Sequence, residues 1–294
     1  MKRKLFVLSL VLIYTLIVLT ACSGPKDLTA GKTAEKIVEE SFDKWYQLNN
    51  YDMDMTSKMK MSLGQDVMDI SMSGKATIFQ KPMKMKMVMD LTMPNMDEKM
   101  TIEQYMVEEN QKVIVYQQVG DQWQKVTVDD PAMAKMMAMD PRDNLKLFMD
   151  NLTKAEFLGE EKIGEMNTVK IDIIASSKIF EQVFQETAGN TLGIDNGLIN
   201  KDILSKIGDM EYLIWINKAT LETVKCQMVL TENMKNLGNA LVEDGNLPDI
   251  NELKEVFANM EISMEYTVLN QNKAQDFTIP EEAKNAEEIP LPNP

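Results

Sequence analysis

The chain has 294 residues, 44% of them hydrophobic and 26% charged, a composition typical of a folded protein rather than a disordered one. It contains 46 acidic and 31 basic side chains, and the resulting net charge of −15 argues against binding to nucleic acid. It has no histidine and only two cysteines, which excludes a histidine-based triad, a histidine-ligated zinc site and a disulfide-rich scaffold.

The N-terminus has the features of an export signal. Three basic residues at positions 2–4 precede an almost continuously apolar stretch, residues 5–18, which leads into Leu-Thr-Ala-Cys22. This order is typical of a signal peptide, and the alternative is an uncleaved membrane anchor. Leu-x-Ala-Cys resembles the bacterial lipobox, in which the cysteine receives a diacylglyceryl group and the peptide is cut just before it. We therefore expect residues 1–21 to be a lipoprotein signal peptide. Residues 22–32 would be the lipidated cysteine and a tether, holding the protein on the extracytoplasmic face of the cell membrane.

The body begins with an amphipathic pattern. Apolar residues recur every three or four positions from Thr33 to Leu48, which predicts a helix with Thr33 as its N-cap. From Tyr51 the period changes to two, and turn residues divide the chain into a series of long strands that ends near Val128. Gly74 interrupts one of these strands and predicts a bulge or a bend there.

The second half alternates helical and strand patterns. Helices are predicted near residues 133–137, 141–152, 177–189, 198–207, 233–242 and 249–257. Strands are predicted near residues 154–160, 166–175, 211–217, 220–231, 261–270 and 275–279. No repeat and no linker divides the body, so we expect one domain over residues 33–285, followed by a loose acidic tail, residues 286–294.

Four segments, in this order, match a known layout: Ala34–Leu48 running into Tyr51, Val115–Lys125, Trp215–Thr220 and Phe277–Ala283. The layout resembles the LolA/LppX-like lipoprotein carrier fold and its relatives among Gram-positive lipoproteins. The resemblance implies an α+β fold, a long antiparallel sheet curled into a half-barrel with helices covering the concave face. It also implies an apolar cavity that holds acyl chains or a lipoprotein in transit, and it carries no catalytic motif. Soluble carriers of this kind lack a lipid anchor, so an anchored relative would hold a lipid or a partner in place.

Methionine is the unusual residue of the chain. Fourteen of its 26 methionines lie between Met53 and Met106, mostly at alternate positions that share one face of a strand. They can be core, because methionine fills irregular gaps, or the adaptable wall of a cavity, or soft ligands for Cu(I) or Ag(I). The candidate cavity residues are Met59, Met61, Met72, Met85, Met87, Met89, Trp123 and Trp215.

The other candidate sites have simpler explanations. Cys226 lies on the apolar side of a predicted strand and is expected to be a buried structural thiol. Adjacent acidic pairs point apart and are expected to be surface, and Asn190–Asp202 lacks the spacing of a calcium loop. We therefore expect no catalysis, metal or cofactor. The expected function is binding of a lipid or acyl chain, with an envelope scaffold with a solid core, or a methionine-based Cu(I)/Ag(I) binder, as alternatives.

Overall fold

The computed structural model describes residues 26–63, 66–94, 99–110, 112–129, 148–179, 201–244 and 255–289. The predicted signal peptide, Cys22, the helix near residues 133–137 and all of the segment Asn190–Asp202 except its last two residues lie outside these residues. Within the described part of the chain, no helix is both long enough and apolar enough to cross a membrane.

The described elements are mostly strands. The helices are α1 (Ala34–Tyr46), α2 (Lys201–Ser205), α3 (Thr231–Asp244) and α4 (Glu281–Lys284), and residues 148–150 and 255–258 are also helical. The strands are β1 (Asn50–Leu63), β2 (Asp66–Gln80), β3 (Met83–Thr92), β4 (Met100–Glu109), β5 (Lys112–Val119), β6 (Gln122–Val128), β7 (Leu152–Ile163), β8 (Met166–Ala175), β9 (Met210–Asn217), β10 (Thr223–Val229), β11 (Glu261–Leu269) and β12 (Glu287–Glu288).

These strands form one sheet in the order β12-β6-β5-β4-β3-β2-β1-β11-β10-β9-β8-β7. Every described pairing is antiparallel except the short parallel pairing of β12 with β6. The sheet is two meanders joined where β1 pairs with β11, which brings residues more than 200 positions apart side by side. The sheet is open and curled as a half-barrel, which confirms the predicted α+β fold class.

Helix α1 forms where its periodicity predicted, because Thr33 caps it and one face is apolar. The Thr33 hydroxyl accepts a hydrogen bond from the Lys36 backbone N–H at 3.3 Å. Ile37 and Val38 are fully buried against apolar side chains of β8 and β9. Burying each such side chain contributes about 1.5–3 kcal/mol, so the helix is stabilised mainly by this contact. We call the sheet face that carries α1 the inner face and the opposite one the outer face.

The period-two pattern of the first strands sorts their side chains between these two faces. Tyr51 is fully buried beside Trp45 of α1, so the residues two and four positions further along β1, Met53 and Met55, also lie on the inner face. The register extends this row to Met87 of β3 through Ala76 of β2. The inner face of β1–β3 is therefore a methionine floor, and the lysines of these strands lie on the outer face together with Asp52, Asp54, Asp69 and Asp90.

Two local expectations are wrong. Gly74 forms no bulge, because it pairs in register with Met55 on one side and Met89 on the other. Residues 275–279 form no strand, and Phe277 packs instead on the outer face against Tyr105. In the predicted tail, Glu287 and Glu288 form β12 and pair with β6. In the predicted tether, the Leu28 backbone N–H donates to the Lys218 carbonyl at 2.7 Å.

A candidate ligand cavity beneath the first helix

A cavity of about 290 Å³ lies between α1 and the inner face of the sheet. Its described lining residues are Phe42, Trp45, Tyr51, Met53, Met55, Phe148, Ile173, Tyr212, Cys226, Met228 and Tyr266. They come from α1, from β1 and β8–β11, and from the helical residues 148–150. The cavity therefore exists only because the β1–β11 pairing closes the two meanders into one sheet.

Aromatic rings hold the walls of the cavity in fixed positions. Trp45 meets Tyr51 and Tyr266 edge to face, with ring centroids 6.2 and 5.8 Å apart. Phe148 meets Phe42 and Tyr212 in the same way, at 6.2 and 4.5 Å. Such edge-to-face pairs contribute about 0.5–1.5 kcal/mol each beyond area burial. The lining is thus preformed on its aromatic sides, and flexible methionine side chains supply the rest.

The cavity is electrically neutral in its described lining, which includes no lysine, arginine, aspartate or glutamate. Its titratable groups are tyrosines and one thiol. Burial raises the pKa of Cys226 to about 11, and hydrogen bonds from Tyr266 and the Gln227 backbone lower that pKa by less. Burial likewise raises the pKa of Tyr212 and Tyr266. All three groups are therefore protonated at neutral pH, and Cys226 is a buried thiol rather than a nucleophile.

The six candidate methionines all lie on the inner face, at different distances from the cavity. Met85 and Met87 pack against the cluster of Trp45, Tyr51 and their neighbours. The other four lie further along the strands: Met59, Met61, Met72 and Met89. All six side chains are half-buried. The six therefore share a face with the cavity, but its described lining uses Met53, Met55 and Met228 instead.

The two candidate tryptophans lie on the other face of the sheet, so their assignment to this cavity is corrected. Trp215 alternates with Ile214 and Ile216, which pack on the inner face. Its ring lies between Lys170 and Lys225, each with Nζ 4.8 Å from the ring centroid.

Trp123 belongs to an outer-face cluster that holds the C-terminal segment. Its ring centroid lies 5.8 Å from that of Tyr105, and the cluster also contains Phe277 and the fully buried Ala283. Both tryptophans are therefore packing residues of the outer face.

The strand register places two methionines directly opposite each other at three points, which are the candidate places for a soft metal: Met61 and Met68, Met85 and Met106, and Met228 and Met264. Opposed side chains have Cβ atoms about 4.5–5.5 Å apart, so two thioethers can converge there. Elsewhere in the described part of the chain, no three His, Cys, Asp or Glu side chains form a group able to hold a metal ion. Titration with Cu(I) against a competing chelator remains the test of this alternative.

A larger depression of about 620 Å³ lies on the outer face of β1–β3. Its lining is charged and includes Asp54, Lys75, Lys86 and Asp90. Lys86 lies 3.1 Å from Glu103, and Asp90 lies 2.7 Å from Lys99. This mixed and partly neutralised lining does not suit an apolar ligand, so the smaller cavity beneath α1 is the better candidate site.

Sequence reasoning did not find several of the cavity residues, chiefly Phe148, Tyr212, Met228 and Tyr266. Alternation places each strand residue on an apolar face, but it does not say which strands are neighbours. The contact between β1 and β11 spans most of the chain and has no local signal. The spacing of Phe42 and Trp45 on α1 was the available hint, since both lie on the apolar face of the predicted helix.

Fold and site together define a half-barrel α+β domain with an apolar cavity beneath its N-terminal helix. Residues 33–288 match DUF6612, a family of unknown function, and the chain belongs to that family. None of the curated proteins compared with the chain matches it.

Several solved structures are similar to the chain. LprF from Mycobacterium bovis is 14% identical, covers 85% of this chain and 97% of its own, and has a TM-score of 0.47. LppX from Mycobacterium tuberculosis is 10% identical, with coverages of 83% and 97% and a TM-score of 0.43. A putative outer membrane lipoprotein-sorting protein domain from Vibrio parahaemolyticus is 9% identical, with coverages of 80% and 89% and a TM-score of 0.22.

Proposed function

We propose that this protein is a membrane-anchored extracytoplasmic lipoprotein that binds an apolar or amphiphilic ligand, a lipid or acyl chain, without catalysing a reaction. The cavity beneath α1 is the observation that carries the proposal. It has about 290 Å³ of space, aromatic and methionine walls and no charged side chain in its described lining. Water gains few hydrogen bonds in such a space, whereas an apolar chain buries its surface there.

The burial of the methionine floor supports binding over a solid core. A close-packed core would bury these side chains fully. The methionines that line the cavity, Met53, Met55 and Met228, are only half-buried, and Met264 is 39% exposed. A polarisable and adaptable floor suits ligands of variable shape. The scaffold alternative requires this row to be filled by packing, which does not fit its half-buried state.

Membrane attachment through Cys22 is the second half of the proposal. It rests on the basic start, the apolar stretch and the Leu-Thr-Ala-Cys22 ending of the N-terminus. Two acyl chains on Cys22 would anchor the protein stably where one would be marginal. Metabolic labelling with a radioactive fatty acid tests it, and loss of the label in Cys22→Ala is the expected result.

Native mass spectrometry of the body from Ser23 to Pro294 tests ligand binding. This body contains every described element, since these run from Ala34 to Glu288. Purification from a bacterial host is expected to yield a discrete added mass that extracts into organic solvent. A bare apo mass that persists after incubation with host lipids would contradict the proposal and favour a scaffold that acts through an envelope partner.

A pair of size-matched variants locates the bound ligand. Met55→Trp fills the cavity, because Met55 lines it, and is expected to abolish the added mass. Met61→Trp is the control, since it puts the same bulk on the same face about 20 Å further along β1. Circular dichroism checks that both variants fold. If Met55→Trp keeps the ligand, the cavity is not its site. If Met61→Trp also loses it, the ligand extends along the methionine floor.

A further inference from the structure

The apolar cavity contains a small group of polar atoms on one wall. Tyr212, Cys226 and Tyr266 lie on the adjacent strands β9, β10 and β11, and all three line the cavity. Cys226 is directly opposite Tyr266, and Tyr212 is opposite Met228, two residues further along β10. A cavity that held only hydrocarbon would have no need of hydroxyl groups here, because each must be stripped of water on folding.

The hydroxyl groups of Tyr212 and Tyr266 have different neighbours in the structure. Tyr266 lies directly opposite Cys226, and its pKa is raised chiefly by burial and also by the thiol. The Tyr212 hydroxyl has as its described partner the thioether of Met210, with 4.0 Å from oxygen to sulfur. A thioether is a weak acceptor, so this contact uses little of the donor strength of the hydroxyl. Meanwhile Phe148 holds the Tyr212 ring in place, edge to face at 4.5 Å between centroids.

The cavity also restricts the ligand by charge and by size. A carboxylate or a phosphate would be buried without a cation among the described lining residues, at a large desolvation cost. The volume of about 290 Å³ is at the lower end of the range for small-molecule sites, about 300–1,000 Å³. A single chain with an uncharged oxygen fits these limits, whereas a lipid with two or three chains does not fit inside them.

We infer that Tyr212 is the polar anchor of the site, and that its hydroxyl donates a hydrogen bond to the carbonyl oxygen of a neutral single-chain ester. The inference rests on the proposed function, because it requires the cavity to bind an apolar chain. It adds the class of ligand and the atom that orients it. The hydrogen bond would fix the depth of the chain, while Met53, Met55 and Met228 adapt to its length.

Displacement of a neutral fluorescent probe, N-phenyl-1-naphthylamine, from the Ser23–Pro294 body tests this inference. The competitors are methyl decanoate, the chloroalkane 1-chlorodecane as a chain of similar length with a poor acceptor, and the decanoate anion. Tyr212→Phe removes only the hydroxyl. It is expected to weaken the binding of methyl decanoate about five-fold while leaving the binding of 1-chlorodecane unchanged. Tyr105→Phe is the matched control and is expected to leave both affinities unchanged, because Tyr105 lies on the outer face, away from the cavity.

A second variant changes the same hydroxyl without removing it. Met210→Leu takes away its thioether partner and keeps the buried volume. It is expected to leave methyl decanoate binding as tight as in the unaltered protein, or up to about two-fold tighter. This variant keeps the test decisive if Tyr212→Phe fails to fold, because a several-fold loss of ester affinity in Met210→Leu would contradict a free donor at Tyr212.

The outcomes separate the two proposals. Equal ester affinity in the unaltered protein and Tyr212→Phe, with both competitors binding, would overturn the anchor and leave the proposed function standing. Decanoate that binds more tightly than its methyl ester, instead of the expected loss of about ten-fold or more, would overturn the neutral class of ligand. If neither methyl decanoate nor 1-chlorodecane displaces the probe, the proposed function fails and the anchor fails with it.

Discussion

The Asp27 carboxylate ties the segment before α1 to the sheet. Its Oδ1 accepts hydrogen bonds from the Thr29 hydroxyl at 2.6 Å and the Thr29 backbone at 2.9 Å, and Lys218 Nζ lies 3.0 Å from Oδ2. Beside it, Leu28 packs against the main core cluster. The chain is therefore docked onto the sheet from Asp27 onward, before α1 begins.

The hydrogen bonds of Asp27 predict a defined pH dependence. They hold the pKa of Asp27 at about 2, below its ordinary 3.8. A lowered pKa means that this stabilisation is complete above pH 3.8 and is lost as the pH falls through 2. Because the side chain is 37% exposed, we expect Asp27→Asn to cost at most about 1 kcal/mol near neutral pH. Urea unfolding of both proteins at pH 6, 4 and 2.5 measures it.

The control for this prediction is Asp121→Asn, which removes the same charge from an exposed turn. The difference between Asp27→Asn and the unaltered protein is expected to shrink towards zero as the pH approaches 2. A difference that stays constant over this range would mean that Asp27 acts by packing and not through its charge.

At the scale of the elements, the sequence predicted the type and position of the helices and strands well, but it did not predict which strands pair with each other. Helix α1 and strands β1–β6 follow from periodicity and turn residues, because one buried face suffices to impose a pattern. The alternation of Trp215 with Ile214 and Ile216 along β9 also indicates which face it occupies. Its aromatic character suggested the cavity, whereas its place in the alternation predicts the outer face. The β1–β11 pairing had no local signal, and the cavity depends on it.

Gly74 forms no bulge, but its lack of a side chain allows β2 and β3 to pack closely. A Cβ on Gly74 would lie 2.8 Å from the Val88 carbonyl oxygen and 3.0 Å from Met89 Cγ. The glycine therefore admits the side chain of Met89 over β2, and the strands β1–β3 can approach without a bulge. In place of a break in the strand, it creates room for the methionine floor.

This close contact predicts that Gly74→Ala is destabilising. Alanine would normally stabilise a strand, because glycine loses more conformational entropy on folding. Here the new methyl group must displace Val88 or Met89, and we expect a loss of about 1–3 kcal/mol in the free energy of unfolding. Urea denaturation measures it, with Ser73→Ala on the exposed outer face as the control. A gain in stability would show that β3 yields easily and that the floor is loosely packed.

For the whole molecule, the proposed anchor sets the orientation of the cavity. Cys22 precedes the docked residue Asp27 by five positions, which a chain can span over at most about 17–18 Å, so an anchor at Cys22 would place the β9–β10 end of the sheet close to the bilayer. The cavity residues Tyr51, Met53 and Met55 are among the first residues of β1, at this same end of the sheet. A ligand leaving the membrane would therefore meet the cavity first, and the methionine floor would lead away from it.

The C-terminal segment connects the middle of the sheet to its edge. After β11 it crosses the outer face, where Phe277 contacts Phe79 and Tyr105 and Ala283 is fully buried. It ends as β12, which pairs with β6, and the Ile289 backbone N–H donates to the Lys125 carbonyl at 2.8 Å. The segment thus covers both an aromatic patch and one open edge of the sheet. The other edge, β7, is interrupted by bulges and carries charged residues that discourage pairing.

Removal of this segment is expected to cost both stability and solubility. A chain that ends at Asn270 would expose Tyr105, Val107 and the edge of β6, and the loss of the half-buried Phe277 alone corresponds to about 1–2 kcal/mol. We expect it to unfold at lower urea concentration and to associate in sedimentation experiments. A chain that ends at Ile289 keeps every described contact and is the control. If the shorter chain stays monomeric with unchanged stability, the segment is an accessory, and the sheet must protect its β6 edge by another means.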